Sequence, residues 1–287
     1  MKSLQKGCSS VHPPLPLTPT AFRDELLPMA SLSGKKAVVT GAGRGIGAAI
    51  ARTLAESGAD LIVASRSAAG AEKVATELRS RDAQAWPVEC DVTDPKQVEA
   101  LARVAEEKLT RVDILVNNAG RAHSAPIKKL ELEDWEAVLA VNATGTFLCT
   151  KAFLSGMMER GWGRIVNVAS TAALHGARYI AAYAAAKHAV LGFTRCAAAE
   201  TAASGVTVNA ICPGYVDTDM TFEAIRNIVT RSGRTEKQAR DFIMSLNPQG
   251  RLIRPEEVAW AVRSLCEEEA GGINGQAIVL DGGGLLS

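Results

Sequence analysis

From Lys35 onward the chain alternates short apolar runs with helix-length segments, and no other property restricts its fold as strongly. The runs are 37–40, 60–65, 85–89, 114–116, 164–168, 206–211 and 277–280. Helical spacing occupies the stretch from Gly47 to Gly58 and then 70–81, 95–108, 131–160, 180–203 and 255–266. Strands separated by helices of ten or more residues are joined by crossovers rather than hairpins, which predicts a parallel sheet with helices on both faces. The expected fold is therefore α/β, one doubly wound sheet of about seven strands. Ligands of such sheets collect beyond the carboxyl ends of the strands, near the point where strand order reverses.

The totals narrow the function classes. A length of 287 residues, 47% hydrophobic and 22% charged, suits one large globular domain. A net charge of +1 argues against a broad nucleic-acid footprint. The six cysteines are scattered singly, without C-x-x-C spacing or clustered histidines, which fits reduced thiols and no metal site. No unbroken run of 18 apolar residues occurs, so no membrane span and a cytoplasmic location are expected. Residues 1–28 are rich in Pro, Ser and Leu without helical or strand period, and read as a flexible leader dispensable for activity. Residues 29–287 read as a single catalytic domain with no internal composition shift.

Two stretches carry chemistry. The first run ends in Gly41-Ala42-Gly43-Arg44-Gly45-Ile46-Gly47 and a helix follows. Glycine lets a chain turn tightly and lets backbone approach a pyrophosphate, while the helix N-terminus supplies N–H groups and positive partial charge. No Lys-Ser or Lys-Thr follows the last glycine, so this is not a Walker loop. The second stretch, Ser170 to Lys187, contains Tyr183 and Lys187 at i and i+4 of an alanine-rich helix, which sets a phenol and an ammonium on one face. An ammonium beside a phenol favours the phenolate, so the pair suits proton transfer.

With these pieces placed, the chain closely resembles the short-chain dehydrogenase/reductase family over residues 33–284, with a Rossmann-type fold. The resemblance rests on T-G-A-G-R-G-I-G at 40–47, N-N-A-G at 117–120, Asn142, Ser170, Tyr183 and Lys187, and Pro213-Gly214. It implies hydride transfer between a nicotinamide and a carbonyl or secondary alcohol carbon. Tyr183 would exchange the substrate's proton and Ser170 would hold its oxygen. Lys187 would bind the nicotinamide ribose and lower the tyrosine pKa, and Asn142 would hold a proton-relay water. The glycine string with Ile46, together with Asn118, Ala119 and Gly120, would border the dinucleotide. Asp91 and Val92 would meet its adenine, and Pro213, Gly214, Val216 and Thr218 its nicotinamide end. The second run ends Ala64-Ser65-Arg66-Ser67 without an acid, so Arg66, Ser65, Ser67 and Arg44 favour the 2′-phosphate of NADP(H), with NAD(H) the alternative.

The substrate segments implied are 121–127, 171–182 and a helical lid at 219–250. The first two resemble 3-hydroxybutyrate dehydrogenases, through H-S-A-P at 123–126 and A-A-Y-A-A-A-K-H-A-V-L-G-F-T at 181–194. I-C-P-G-Y-V-D-T at 211–218 resembles 3-oxoacyl and polyketide reductases. Hydroxybutyrate enzymes clamp a carboxylate with Gln, His and Lys, and the matching positions here are Ala122, Ala172 and Ile180. A carboxylate buried there without partners would cost several kcal/mol. A neutral 3-oxoacyl thioester, carried on coenzyme A or an acyl-carrier protein, is therefore favoured. His175 and Arg178 are the charges closest by in sequence, and Arg226, Arg231, Arg234, Lys237 and Arg240 give the lid a basic outer face. Dehydrogenation of another hydroxy compound (3-hydroxybutyrate, a cyclic alcohol, a sugar or a steroid) is the alternative within the class, and a non-catalytic dinucleotide sensor the alternative outside it. The helix 180–203 is rich in Ala, which permits close helix approach, and because similar helices in the resembled family pack across subunits, the resemblance implies a homotetramer.

Overall fold

In the computed structural model, residues 32–286 are described; the proposed leader 1–28 lies outside them. Seven strands form one parallel sheet in the order β3-β2-β1-β4-β5-β6-β7. They are β1 (Lys36–Thr40), β2 (Asp60–Ser65), β3 (Ala85–Glu89), β4 (Ile114–Asn117), β5 (Gly163–Val168), β6 (Val206–Pro213) and β7 (Ala277–Leu280). The order reverses between β1 and β4, which pair in parallel from Ala37↔Ile114 to Val39↔Val116.

The middle of β1 and β2 feeds two cores at once, which is why the sequence there is apolar on both faces. Ala37 and Val39 of β1 with Leu61 and Val63 of β2 face one core, and Val38 with Ile62 and Ala64 faces the other. The first core is covered by α1 (Gly45–Glu56), α2 (Ala68–Arg79) and α9 (Pro255–Leu265). The second is covered by α3 (Pro95–Leu109), α5 (Gly145–Glu159) and α6 (Ala181–Thr201). Helix starts follow local chemistry: the Ser67 hydroxyl accepts from Gly70 N–H at 3.2 Å, and the Asp94 carboxylate accepts from Lys96 N–H ahead of a first-turn proline. The segment Asp219–Gly250 forms α7 (Asp219–Ser232) and α8 (Glu236–Ser245), built around Ile225, Ala239, Ile243 and Leu252.

The expected long helix 131–160 is interrupted. It consists of α4 (Leu132–Leu139), a π turn at Ala140–Thr144, and α5. The π turn inserts one extra residue and turns Asn142 inward, where it is buried. Sequence periodicity does not register a single added residue within an apolar helix. Leu132–Glu159 is long and apolar enough, by length and composition, to cross a membrane, a test that core helices also pass. Here Cys149, Phe153 and Met157 of this helix are packed on the sheet.

A buried polar column ties the helices on this face to the strands. Asn117 Nδ2 donates to Thr150 Oγ1 at 3.0 Å and to Asn167 Oδ1 at 2.9 Å, and Asn167 Nδ2 donates to Thr194 Oγ1 at 2.9 Å. These residues lie on β4, α5, β5 and α6, so the column fixes two helices against two neighbouring strands. Replacing Asn167 with Ala strands buried groups of Asn117 and Thr194. We expect a loss of roughly 1–3 kcal/mol of unfolding free energy in chemical denaturation.

Candidate active site

The site begins with two turns forced together at the strand-order reversal. Asn118 Nδ2 donates to the carbonyls of Thr40 (3.0 Å) and Gly41 (3.2 Å), and the N–H groups of Asn118 and Ala119 both donate to Thr40 Oγ1 at 3.1 Å. Gly41 has φ +64° and a Cβ there would lie 2.8 Å from Ala119 Cα; a Cβ on Gly47 would lie 2.4 Å from Asn118 Nδ2. Only glycine fits either position. Asn118 is thus committed to clamping the two turns, a duty the sequence did not reveal, and Thr40 was missed as the other half of the clamp.

The rest of the expected cofactor residues lie on the turns that follow β1, β2, β3 and β6 and at the start of α1. A Cβ on Gly43 would meet Ser65 Oγ at 2.8 Å, so the glycine turn touches the end of β2. Gly45, with φ +55°, faces the Thr218 methyl, and Ile46 packs into the first core. Arg66 and Ser67 are exposed just beyond β2, with Ser67 also capping α2. Arg44 is exposed and pairs with Asp219. At the end of β3, Asp91 Oδ1 accepts from both Thr93 N–H and Thr93 Oγ1, and Val92 is buried against Gly145. Gly214 N–H donates to Leu280 O at 2.9 Å, and Val216 bridges to Ile253, so the segment after β6 is pinned to its neighbours.

The four polar residues expected to carry the chemistry come together at the ends of β4, β5 and β6. Ser170 Oγ accepts from Ala172 N–H at 3.2 Å and donates to Pro213 O at 3.5 Å. Lys187 is buried, its Nζ donating to Val168 O at 2.7 Å and lying 5.6 Å from the centre of the Tyr183 ring. Asn142 Nδ2 donates to Arg121 O and Val138 O, while its Oδ1 is buried without a partner. A Cβ on Gly120 would lie 3.0 Å from that Oδ1 and 3.7 Å from Lys187 Nζ, so Gly120 marks the space between them.

Burial overrides the expected effect of Lys187 on Tyr183. Desolvation pushes the phenol up to about 12, against a hydrogen bond with Ser170 that pulls it down, and Tyr215 adds to the upward shift. Desolvation also lowers the Lys187 ammonium to about 8. For Tyr183 the upward push of desolvation outweighs the downward pull of its hydrogen bond with Ser170. Tyr215, on the loop after β6, was not singled out from the sequence, where nothing distinguishes it from a packed aromatic.

The substrate segments meet through backbone. Ala125 N–H donates to Tyr179 O at 2.8 Å, and Arg231 of α7 donates to Ser124 O. Tyr179 has φ +71° and is exposed. His123 and Arg121 both approach Asp134, at 3.4 and 3.8 Å. Ala122 is exposed, Ala172 buried and Ile180 half-buried, while His175 and Arg178 are exposed.

Comparison with known proteins gives the family and the fold. Residues 35–228 match the family model of the short chain dehydrogenases. A 3-oxoacyl-[acyl-carrier-protein] reductase of Synechocystis sp. is 39% identical over 89% of this chain and 98% of its own. A D-beta-hydroxybutyrate dehydrogenase of Cupriavidus necator is 38% identical over 88% and 98%. The crystal structure of a variant actinorhodin polyketide ketoreductase with NADPH superposes with a TM-score of 0.85, at 40% identity, covering 87% of this chain and 96% of that one.

The lowered Lys187 pKa has a stability consequence. Below pH 8 the folded chain holds a buried ammonium, and this penalty is relieved as pH rises from about 8 towards the unfolded value of 10.5. Lys187→Met should therefore raise unfolding free energy at pH 7 by roughly 1–3 kcal/mol, after allowing for the lost bond to Val168 O. The gain should shrink between pH 8 and 10.5 in denaturation curves taken across that range.

Proposed function

The chain belongs to the short-chain dehydrogenase/reductase family, and we propose that within it this protein is an NADP(H)-dependent reductase of 3-oxoacyl thioesters. Membership makes it a nicotinamide-dependent oxidoreductase of CH–OH and keto groups. The observation that carries the reading is the convergence of Asn142, Lys187 and Gly120 beside Ser170 and Tyr183, at the sheet's strand-order reversal.

The site's shape fits a nicotinamide dinucleotide. Gly43 and Gly45 leave room where a Cβ would fill the turn, and the N-terminus of α1 points its N–H groups there. When bound, the nicotinamide supplies or accepts the hydride. The chain's own residues do the rest. The Tyr183 hydroxyl protonates the substrate oxygen during reduction; its raised pKa keeps the proton in place until negative charge develops on that oxygen. Ser170 Oγ hydrogen-bonds the same oxygen. Lys187 holds the ribose hydroxyls. The orphaned Asn142 Oδ1 accepts from a water that passes protons to solvent, since an unpaired acceptor at such depth is costly without one. Asp91 and Val92 would border the adenine, Asn118, Ala119 and Gly120 the adenosine ribose, and Pro213, Gly214, Val216 and Thr218 the nicotinamide.

Preference for NADP(H) follows from Arg66, exposed beyond β2 beside Ser65 and Ser67, with Arg44 opposite and no acid at the strand end. Ala122, Ala172 and Ile180 offer no charge for a small carboxylate, which favours a neutral 3-oxoacyl thioester over 3-hydroxybutyrate. Exposed Arg226, Arg234, Lys237 and Arg240 on the lid suit the phosphates of coenzyme A or a phosphopantetheine arm. We place the protein in the cytoplasm and assemble it as a homotetramer through α5 and α6, where Phe147 is exposed with its ring edge-on to Phe193 at 6.1 Å. Light scattering should give a mass of four chains; a mass of one chain refutes the assembly.

Absorbance at 340 nm with NADPH or NADH and an acetoacetyl thioester tests the function. Turnover is expected with a higher kcat/KM for NADPH, and Tyr183→Phe should lower kcat by about 10²–10⁴ while leaving the fold intact by circular dichroism. No turnover with any ketone or alcohol would favour a non-catalytic dinucleotide sensor; turnover of hydroxybutyrate with NAD would favour the dehydrogenase alternative.

A further inference from the structure

The lid's first helical residue reaches back to the glycine turn. Asp219 opens α7, and its Oδ2 lies 3.2 Å from Arg44 NH1. Arg44 sits at the N-cap of α1 with extended backbone, and its neighbour Gly45 faces Thr218, the residue before Asp219. The contact therefore lies where the glycine turn approaches the side chain of Thr218. Both side chains are largely exposed, at 77% and 63%, so this is a weak and exchangeable ion pair.

The two cations assigned above to the 2′-phosphate thus stand differently. Arg66 has no carboxylate partner among the described residues, whereas Arg44 already has one, contributed by the lid. Whatever anion Arg44 is to bind must displace Asp219 or share the guanidinium with it at like-charge cost. NAD(H) shares the pyrophosphate but has a neutral hydroxyl at the 2′ position, so only NADP(H) brings the extra anion that competes for Arg44.

We infer that Asp219 is a specificity-determining residue for the cofactor: its carboxylate competes with the 2′-phosphate for Arg44 and so holds back affinity for NADP(H) while leaving NAD(H) untouched. The inference rests on the placement of Arg44 in the 2′-phosphate site proposed above. A carboxylate of this kind is outside the second strand, where cofactor preference is usually sought in such folds.

Fluorescence titration of the full-length protein with NADPH and with NADH tests it without turnover. Asp219→Asn should lower the Kd for NADPH by about threefold at low salt and leave that for NADH unchanged. The gain should fade at about 0.5 M NaCl, and should vanish in the Arg44→Gln background. Equal changes for both cofactors would mean that Asp219 acts through lid geometry alone and would overturn the inference. So would an unchanged Kd for NADPH, or a gain that survives in Arg44→Gln. Failure of the NADP(H) preference itself shows separately: tighter binding of NADH by the unsubstituted protein overturns that preference, whatever Asp219→Asn does.

Discussion

The close approach of two turns, one after β1 and one after β4, is the constraint on which the site depends. After β3 the chain crosses back past β1 to form β4, so the strand order reverses between β1 and β4 and these two turns stand side by side there. Asn118 and Thr40 supply the lock with four hydrogen bonds, and the missing side chains of Gly41 and Gly47 make room for it. The glycines expected to admit a pyrophosphate are therefore, by geometry, packing residues. A substitution at Gly47 would strike the sheet's central junction before it affected any ligand.

Around this junction, burial sets the electrostatics. Tyr183 and Lys187 are one helical turn apart, yet their protons are held by desolvation more than by each other. The phenol keeps its proton and the ammonium holds its own loosely, which is the reverse of what their bare spacing suggests. Both shifts favour neutral forms, yet below pH 8 Lys187 keeps its charge, which its hydrogen bond to Val168 O helps to hold.

Much of this was legible in the sequence because it rests on period and order. The seven strands, their crossovers and the glycine turn are written as apolar runs and breaks, and the four polar residues stand in a recognisable sequence. What escaped has no periodic signature. Asn117, Thr150, Asn167 and Thr194 form their column from four separate elements, and only Asn167, between the apolar Val166 and Val168, hinted at it. The π turn at Asn142 and the reach of Asp219 to Arg44 depend on backbone placement to within an ångström or two, which residue types alone do not encode.

The π turn has an implication for how this helix can change. An α-helix advances about 100° per residue, so one residue added or lost rotates everything beyond it. The wide turn at Ala140–Thr144 absorbs one such residue, placing α4 and α5 in different phases on either side of Asn142. The helix therefore has two separate reading frames, one facing Tyr183 through Val138 and Leu139 and the other facing the sheet through Cys149, Phe153 and Met157. A single-residue deletion between them would bring the frames into register as one smooth helix, and in doing so would turn one of the two faces away from its partner.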